Sequence, residues 1–341
     1  MFELRERVRP NILKLKPYSS ARDDFQGHEG IFLDANENPF GELNRYPDPH
    51  QKELKKKLGA LKSVPVETIF IGNGSDEIID LTFRIFCCPG KDKALTFSPT
   101  YGMYEVSAEI NDVELIKVPL NTDFQIDFEA FEKQINDKDI KLIFVCSPNN
   151  PTGNSLYNIE QVLAKFDGIV LVDEAYIDFS MEQSCREMIS RYPNLIVMQT
   201  FSKAWGLAAA RVGIAYADAA IIGIFDKVKP PYNVSELNQK AALKALEDLE
   251  GFENRKKIIL EQKAWLEKQL PGLKPVIKIY PSDANFLLVE VTDANRIYTE
   301  LVNRKVITRN RNSLVKNCIR ITVGSPEENL KLIEALRKIS D

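Results

Sequence analysis

The sequence predicts an α/β protein: a large domain with a mostly parallel sheet flanked by helices, and a smaller α/β domain near the C-terminus. Three observations predict this. Short apolar runs alternate with longer segments of helical periodicity. Residues 169–172 and 195–198 are apolar throughout, as strands buried on both faces are. After residues 271–272, a Pro-Gly pair, a second series of strands and helices begins.

Seven strands are expected in the large domain. They are predicted at residues 68–71, 94–97, 113–118, 141–146, 169–172, 195–198 and 212–216. Helices are predicted between them, including one over residues 76–86 and one that starts near Tyr101. The seventh strand follows the sixth after only about a dozen residues, which is short for a parallel crossover, so we expect it to run antiparallel.

The C-terminal part continues with a helical stretch over residues 235–270, which we expect to break near Gly251. Strands are predicted at residues 276–280, 286–291, 306–308 and 319–323. Ser325, Pro326 and Glu328 have the spacing of a capping box at the start of the last helix. We therefore expect an N-terminal segment (1–40) that packs with the small domain, a large domain (41–240) and a small domain (241–341).

Composition excludes several functions. The net charge is only −4 and no segment has a basic surplus, which argues against nucleic-acid binding. No apolar run is long enough to cross a bilayer, and the charged residues 1–9 are unlike a secretory signal, so we expect a cytoplasmic protein. With two histidines and no C-x-x-C pair among five cysteines, we expect reduced thiols and no metal site.

Two loops after predicted strands offer uncharged polar groups. Residues 72–77 (GNGSDE) join a strand to a helix, where the free amides either cradle a phosphate or simply form a capped glycine turn. The third glycine of a dinucleotide site and the Gly-Lys-Ser/Thr of a P-loop are missing. Residues 146–153 contain Asn149 and Asn150, whose amides can bind a phenolate or carboxylate, although an ordinary loop would look similar.

Two charged residues follow the central strands. Asp173 ends a buried strand, where a carboxylate needs a cationic partner unless it only caps a helix. A protonated pyridine nitrogen would serve as that partner. Lys203 follows the sixth strand; most lysines are solvated surface residues, but a partly buried one becomes a usable amine nucleophile. With Ser202 and Arg211 close by for a phosphate, these groups are the equipment of a pyridoxal phosphate site.

The chain resembles the fold-type I aminotransferases, which use pyridoxal phosphate, and among them most closely the histidinol-phosphate aminotransferase family. The resemblance runs almost end to end. The motifs that carry it are residues 17–18, 34–39, 45–47, 72–77, 98–104, 148–153, 173–176, 200–213, 285–286 and 320–324.

The resemblance implies a role for each cofactor-site residue. Lys203 would form a Schiff base with the cofactor, Asp173 would pair with the ring nitrogen, and Tyr101 would stack on the ring. Asn150 and Tyr176 would contact the ring oxygen. The phosphate would be bound by the backbone of Ser75 and Asp76 and by the side chains of Ser202 and Arg211. Tyr46 would reach the cofactor of the second subunit of a homodimer.

The resemblance also implies a reaction. L-Histidinol phosphate and 2-oxoglutarate would be converted to imidazole-acetol phosphate and glutamate, in histidine biosynthesis. Tyr18, Asn36, Arg309 and Arg320 match substrate-binding positions, although Arg311 lies close enough to Arg309 to take its place. An aromatic aminotransferase, a phospho-amino-acid decarboxylase and a silent scaffold stay open as alternatives, and an intact Lys203 argues against the scaffold.

Overall fold

The larger of two sheets forms the centre of the molecule. The computed structural model describes residues 2–18 and 30–339. The strands of the larger sheet are β1 (Ile69–Asn73), β2 (Lys93–Ser98), β3 (Glu114–Pro119), β4 (Ile140–Cys146), β5 (Ile169–Asp173), β6 (Leu195–Thr200) and β7 (Val212–Ala217). Their order in the sheet is β1-β7-β6-β5-β4-β2-β3.

Only β7 departs from the parallel arrangement. It runs antiparallel to both of its neighbours, β6 and β1, whereas the other pairs are parallel. This confirms the seven-stranded, mostly parallel sheet and the antiparallel seventh strand. Because β6 ends at Thr200 and β7 begins at Val212, the connection is too short to carry a full crossover helix.

Twelve helices surround the sheets in the described part of the chain. They are α1 (Leu4–Arg7), α2 (Pro10–Lys14), α3 (Lys52–Lys62), α4 (Ser75–Phe86), α5 (Met103–Ile110), α6 (Phe128–Gln134), α7 (Ile159–Lys165), α8 (Ala219–Val228), α9 (Glu236–Glu247), α10 (Leu249–Gln269), α11 (Ala294–Asn303) and α12 (Pro326–Arg337). The predicted capping box at Ser325 and Glu328 is confirmed at the start of α12. None of the helices in residues 2–18 and 30–339 has the length and apolarity to cross a membrane.

The break in the long helical stretch lies three residues before the expected position. Asp248 separates α9 from α10, and its carboxylate accepts a hydrogen bond of 3.0 Å from the amide of Gly251. Gly251 therefore belongs to the first turn of α10. An acidic N-cap, rather than the flexibility of glycine, divides the helix.

The second sheet is small and antiparallel. It contains β8 (Val276–Ile279), β9 (Phe286–Val291), β10 (Arg309–Asn310) and β11 (Cys318–Thr322), in the order β10-β11-β9-β8. The strand predicted at residues 306–308 is wrong, because pairing begins only at Arg309. The amide of Val306 instead bonds to the carbonyl of Leu301 and closes the end of α11.

Apolar side chains fill three clusters. Two lie on opposite faces of the large sheet, and the third fills the small domain between Leu266 and Ile339. The expected domain boundary at residue 240 falls inside α9. Ala242 and Leu246 of that helix belong to a large-sheet cluster, so the separate small-domain core begins later, within α10.

The first helices contact the large domain, although the N-terminal segment (1–40) is expected to pack with the small domain. Val8 and Ile12 are buried in the cluster that includes α4 and α8. The amide of Arg9 bonds to the carbonyl of Ile85 at 2.9 Å, and its guanidinium bonds to the carbonyl of Arg84. The apolar pair therefore covers helices of the large sheet. Residues 19–29 of the predicted segment lie outside the described residues.

Candidate active site

A pocket of about 240 Å³ lies beyond the carboxyl ends of the central strands. Most of its walls come from the large domain. The small sheet contributes Arg311, just after β10, and Arg320, within β11. The lining residues are Ser75, Asp76, Tyr101, Cys146, Asn150, Asp173, Ala175, Tyr176, Thr200, Ser202, Lys203, Ala208, Arg211, Arg311 and Arg320. The structure thus brings together every cofactor-site residue expected from the sequence except Tyr46.

The acid of the pocket is Asp173, the last residue of β5. It is buried, and its two oxygens accept hydrogen bonds from the hydroxyl of Tyr104 at 2.7 Å and the amide of Ala175 at 3.0 Å. Burial raises the pKa of Asp173 to about 6, while these two hydrogen bonds act in the opposite direction. The group therefore stays ionised at neutral pH but would gain from a cation beside it.

The amine of the pocket is Lys203, which follows β6. Its side chain is open to the pocket, and its amine lies 5.6 Å from the centre of the Tyr176 ring. The loss of surrounding water lowers the pKa of Lys203, and the positive charge of Arg320 lowers it further. A lysine held in this way loses its proton more readily than a surface lysine and can attack a carbonyl carbon.

A turn at the start of α4 forms the third wall. Gly74 has φ of +77°, and a Cβ on the adjacent Gly213 would lie 2.5 Å from the carbonyl carbon of Gly74, so neither position accepts a side chain without a shift. The guanidinium of Arg211 lies at this turn and pairs with Asp76 at 2.9 Å. Free amides at a helix start, together with an arginine, suit a phosphate.

Neutral groups complete the centre of the pocket. The amide of Asn150 donates to the hydroxyl of Tyr176 at 3.4 Å, and its oxygen accepts from Arg320. The hydroxyl of Tyr101 lies 3.5 Å from a carboxylate oxygen of Asp76. These contacts place an amide, two phenols and a guanidinium around one small volume.

Arg311 and Arg320 form the remaining wall, and Arg309 lies beside them. We call Arg309, Arg311 and Arg320 the arginine cluster. Arg309 stands opposite Arg320 in the β10–β11 pairing, but it is exposed, whereas Arg311 lines the pocket. The Nε atoms of Arg311 and Arg320 are buried and have no hydrogen-bond partner among the described residues. Burial and the charges of Arg320 and Arg309 lower the pKa of Arg311 to about 10. The cluster therefore suits an anionic group.

Three expected residues lie elsewhere. Tyr18 is 69% exposed and lies beside His50 and Tyr232, away from Lys203. Asn36 and Tyr46 line a separate cleft of about 440 Å³, where the Tyr46 ring stacks on Tyr232 at 4.3 Å.

Sequence reasoning missed two residues at the site. Tyr104 bonds to Asp173 from outside the pocket, and Cys146, at the end of β4, lies on the pocket wall. Both stood inside or beside motifs that the sequence singled out. The contact of Tyr104 with a residue 69 positions away had no local signal.

The pocket residues fit pyridoxal phosphate. The glycine turn and Arg211 suit its phosphate, the buried carboxylate of Asp173 suits a protonated ring nitrogen, and the amine of Lys203 suits its aldehyde. Because Gly74 and Gly213 have no side chains, the phosphate could approach the backbone closely at this turn. The donor set thus matches each functional group of this cofactor.

Comparisons with known proteins agree with this chemistry. Residues 24–336 match the family model for aminotransferases of class I and II. A histidinol-phosphate aminotransferase of Cytophaga hutchinsonii is 49% identical over 345 residues, which cover 98% of this chain and 99% of the relative. One of Bacteroides thetaiotaomicron is 52% identical over 344 residues, with 99% of both chains covered.

The fold agrees with a solved structure as well. The histidinol-phosphate aminotransferase of Sinorhizobium meliloti in complex with pyridoxal-5'-phosphate superimposes with a TM-score of 0.78, over 89% of each chain and at 24% identity. The family match and the full-length identity of about half the residues lead to one conclusion. This chain belongs to the class I and II aminotransferases, and within them to the histidinol-phosphate aminotransferase family.

Proposed function

We propose that this protein transfers the amino group of L-histidinol phosphate to 2-oxoglutarate, forming imidazole-acetol phosphate and glutamate in histidine biosynthesis. The observation that carries the proposal is the arginine cluster, since buried guanidinium donors without partners line a pocket that also fits pyridoxal phosphate. Both substrates are anions, one a phosphate ester and the other a dicarboxylate. The two would occupy the pocket in turn, in ping-pong half-reactions.

The cofactor, when bound, supplies an aldehyde that carries the amino group and a ring that accepts electrons. Lys203 would hold the cofactor covalently and then move a proton to and from the substrate carbon that bears nitrogen. Its lowered pKa suits the second task, because only the neutral amine accepts a proton. Asp173 would keep the ring nitrogen protonated through charge pairing.

The other pocket residues would hold the cofactor in place. Asn150 and Tyr176, already in contact with each other, would bind the ring oxygen. Tyr101 would stack on the ring from its place in the pocket wall. Ser202 and Arg211 would bind the phosphate together with the first amides of α4, at Ser75 and Asp76.

The arginine cluster would bind the anionic end of each substrate. Arg320 reaches the pocket centre, where it contacts Asn150, so it would serve both half-reactions. Arg311 has the better position for a second contact, because it lines the pocket, and exposed Arg309 would add charge behind it. Two guanidinium groups offer several charge-assisted hydrogen bonds to one phosphate.

Tyr46, Tyr18 and Asn36 would act on the site of a second subunit. In the segment that leads to Tyr46, the side chains of Ile31, Leu33 and Phe40 are each at least 80% exposed. Such apolar exposure is typical of a protein interface. A two-fold homodimer would bury these side chains and bring the Tyr46 loop to the partner's cofactor.

Mixing two inactive variants tests the dimer. Lys203→Ala removes the amine from one site, and Tyr46→Ala removes the residue that the partner would supply. We expect co-refolding of the two variants to restore measurable glutamate formation, because one site of each mixed dimer would be intact. Mixtures that stay inactive, or a fully active monomer at every concentration in sedimentation, would contradict this arrangement.

A direct assay tests the reaction. The protein is incubated with 2-oxoglutarate and either histidinol phosphate, histidinol or an aromatic amino acid, and glutamate and carbon dioxide are measured. We expect glutamate from histidinol phosphate at a far higher kcat/KM than from the other donors. Equal use of histidinol would indicate an aromatic aminotransferase, and carbon dioxide release would indicate a decarboxylase.

We propose a cytoplasmic location, which agrees with five free cysteines.

A further inference from the structure

Tyr104 lies directly behind the acid of the pocket. It belongs to the first turn of α5 and is fully buried, at 0% exposure. Its hydroxyl donates to Oδ2 of Asp173 at 2.7 Å, whereas the second donor, the amide of Ala175, serves Oδ1. Among the described residues, Tyr104 is therefore the hydrogen-bond donor on that oxygen.

The ring of Tyr104 is also held firmly. It stacks on Phe144 of β4 with centroids 4.7 Å apart and planes 15° apart. It meets the ring of Tyr101 edge to face at 5.6 Å. One buried side chain thus contacts both the acid and the aromatic ring that are expected on either side of the cofactor.

We propose that Tyr104 is a positioning residue for the cofactor, which fixes the orientation and charge of Asp173 and supports the ring of Tyr101. The inference rests on the proposed role of Asp173. Tyr104 does not line the pocket, so it would act through these two residues rather than by contact with the cofactor.

The physical reason lies in the burial of Asp173. A carboxylate without water stays charged only if donors or cations surround it. Burial already raises the pKa of Asp173 to about 6, and the hydrogen bond from Tyr104 is the first of the influences that lower it. Without the hydroxyl, the acid would take up a proton at a higher pH and lose its fixed orientation.

Tyr104→Phe tests the inference, because it removes one oxygen and keeps the ring. The chain offers a matched control, Tyr216→Phe. Tyr216 is equally buried, on β7, and no group in residues 2–18 or 30–339 forms a hydrogen bond with its hydroxyl. Thermal unfolding of both variants establishes that each is folded before any other comparison is made.

The first readout is the affinity of the cofactor-free, full-length protein for pyridoxal phosphate, measured from pH 5.5 to 8.5 by fluorescence titration. We expect Tyr104→Phe to raise the Kd about tenfold at neutral pH, the effect of one hydrogen bond to a charged group. The pH at which affinity begins to fall should also move upward, because Asp173 would be protonated sooner. A purely structural loss would weaken binding without moving that pH.

The second readout is a double-mutant cycle with Asp173→Asn, in which kcat and cofactor affinity are measured for both single variants and the double variant. If Tyr104 acts mainly through Asp173, Tyr104→Phe should change either quantity by less than about twofold in the Asp173→Asn background. The inference is overturned if Tyr104→Phe leaves the Kd and its pH dependence unchanged, if Tyr216→Phe has an equal effect, or if the two effects are additive. Cofactor binding needs no amino donor, so failure of the proposed substrate would leave this result standing.

Discussion

The two halves of the pocket differ in how their charges are balanced. On the large-domain side, Asp173 accepts hydrogen bonds from Tyr104 and Ala175, and Arg211 is paired with Asp76. On the small-domain side, the buried Nε atoms of Arg311 and Arg320 have no hydrogen-bond partner in the part of the chain that the structure describes. No carboxylate of the described residues forms an ion pair with Arg311 or Arg320 within 4.0 Å.

This difference suggests a division of tasks: the large-domain half would carry out the reaction, and the small-domain half would select the substrate. In the large-domain half, Asp173 and Arg211 already have partners within the chain, and the residues fit pyridoxal phosphate. The small-domain half is electrostatically incomplete, so it needs an anionic ligand. Changes in the first half should therefore remove the reaction, whereas changes in the second half should alter which molecule reacts.

The largest effect is expected for Lys203→Ala. Removal of the amine should lower kcat roughly a thousandfold or more while the protein stays folded, because the lysine would act as both nucleophile and base. Glutamate formation and thermal unfolding are the measurements. Lys240→Ala, on the exposed side of α9, is the matched control and should be neutral. Near-normal turnover by Lys203→Ala would contradict the assignment.

Asp173→Asn should produce the next largest effect. The carboxylate would stabilise charge that develops on the ring, so kcat should fall about 100- to 1000-fold with little change in KM. Glu174→Gln, at the neighbouring position, controls for the loss of a buried carboxylate that does not line the pocket. Glu174 is also a buried carboxylate, but it bonds to Ser184, Gln199 and the amide of Cys185 instead. That variant should lose stability and keep kcat within a few-fold; equal losses of kcat would break the distinction.

Variants of the arginine cluster should have smaller and more selective effects. Arg320→Ala or Arg311→Ala should lower kcat/KM for histidinol phosphate about 10- to 100-fold, the range of one or two charge-assisted hydrogen bonds. The preference for histidinol phosphate over histidinol should narrow, and Arg320→Ala should also weaken the use of 2-oxoglutarate. Arg309→Ala, at an exposed position, should change these values less. Equal losses for both donors would mean that the cluster does not recognise the phosphate.

The part of the fold that the sequence predicted best is the part with the simplest physics. β4, β5 and β6 are apolar runs buried on both faces, and the structure places them within two residues of the expected bounds. Because parallel strands end at one edge, Asp173 and Lys203 had to lie near each other once the strands were known. The position of the pocket could therefore be predicted from the strands alone.

The start of β10 and the positions of Arg311 and Tyr46 could not be predicted, because they depend on contacts that no local sequence pattern contains. Lys305, with φ of +60°, and the hydrogen bond from the amide of Val306 belong to the turn between α11 and β10, and Arg311, just after β10, lines the pocket. Tyr46 lies in a separate cleft, where its ring stacks on Tyr232, almost two hundred residues away. Such positions follow from tertiary packing.

The smallest expected effect concerns the folding stability of the large-domain half of the pocket, through the carboxyl of Asp173. Burial raises the pKa of Asp173 to about 6, above the range near 4 that is usual for an unfolded chain. Between these two values the folded protein binds a proton that the unfolded chain does not. The stability contributed by protonation is therefore present at low pH and is lost as pH rises towards 6. Above that pH, the cofactor-free protein holds a buried charge at a net cost.

Asp173→Asn should remove this cost. In the cofactor-free protein at pH 8, we expect the variant to be more stable than the parent by about 1–2 kcal/mol, since the amide cannot replace every hydrogen bond of the carboxylate. The gain should shrink as pH falls below 6, because the carboxyl of the parent then takes up a proton. Thermal unfolding of the cofactor-free parent and variant between pH 5 and 8 measures this. A less stable Asp173→Asn variant at pH 8 would mean that the Tyr104 and Ala175 hydrogen bonds outweigh the burial of the charge. The large-domain half would then be balanced without its cofactor, and only the arginine cluster would depend on a ligand.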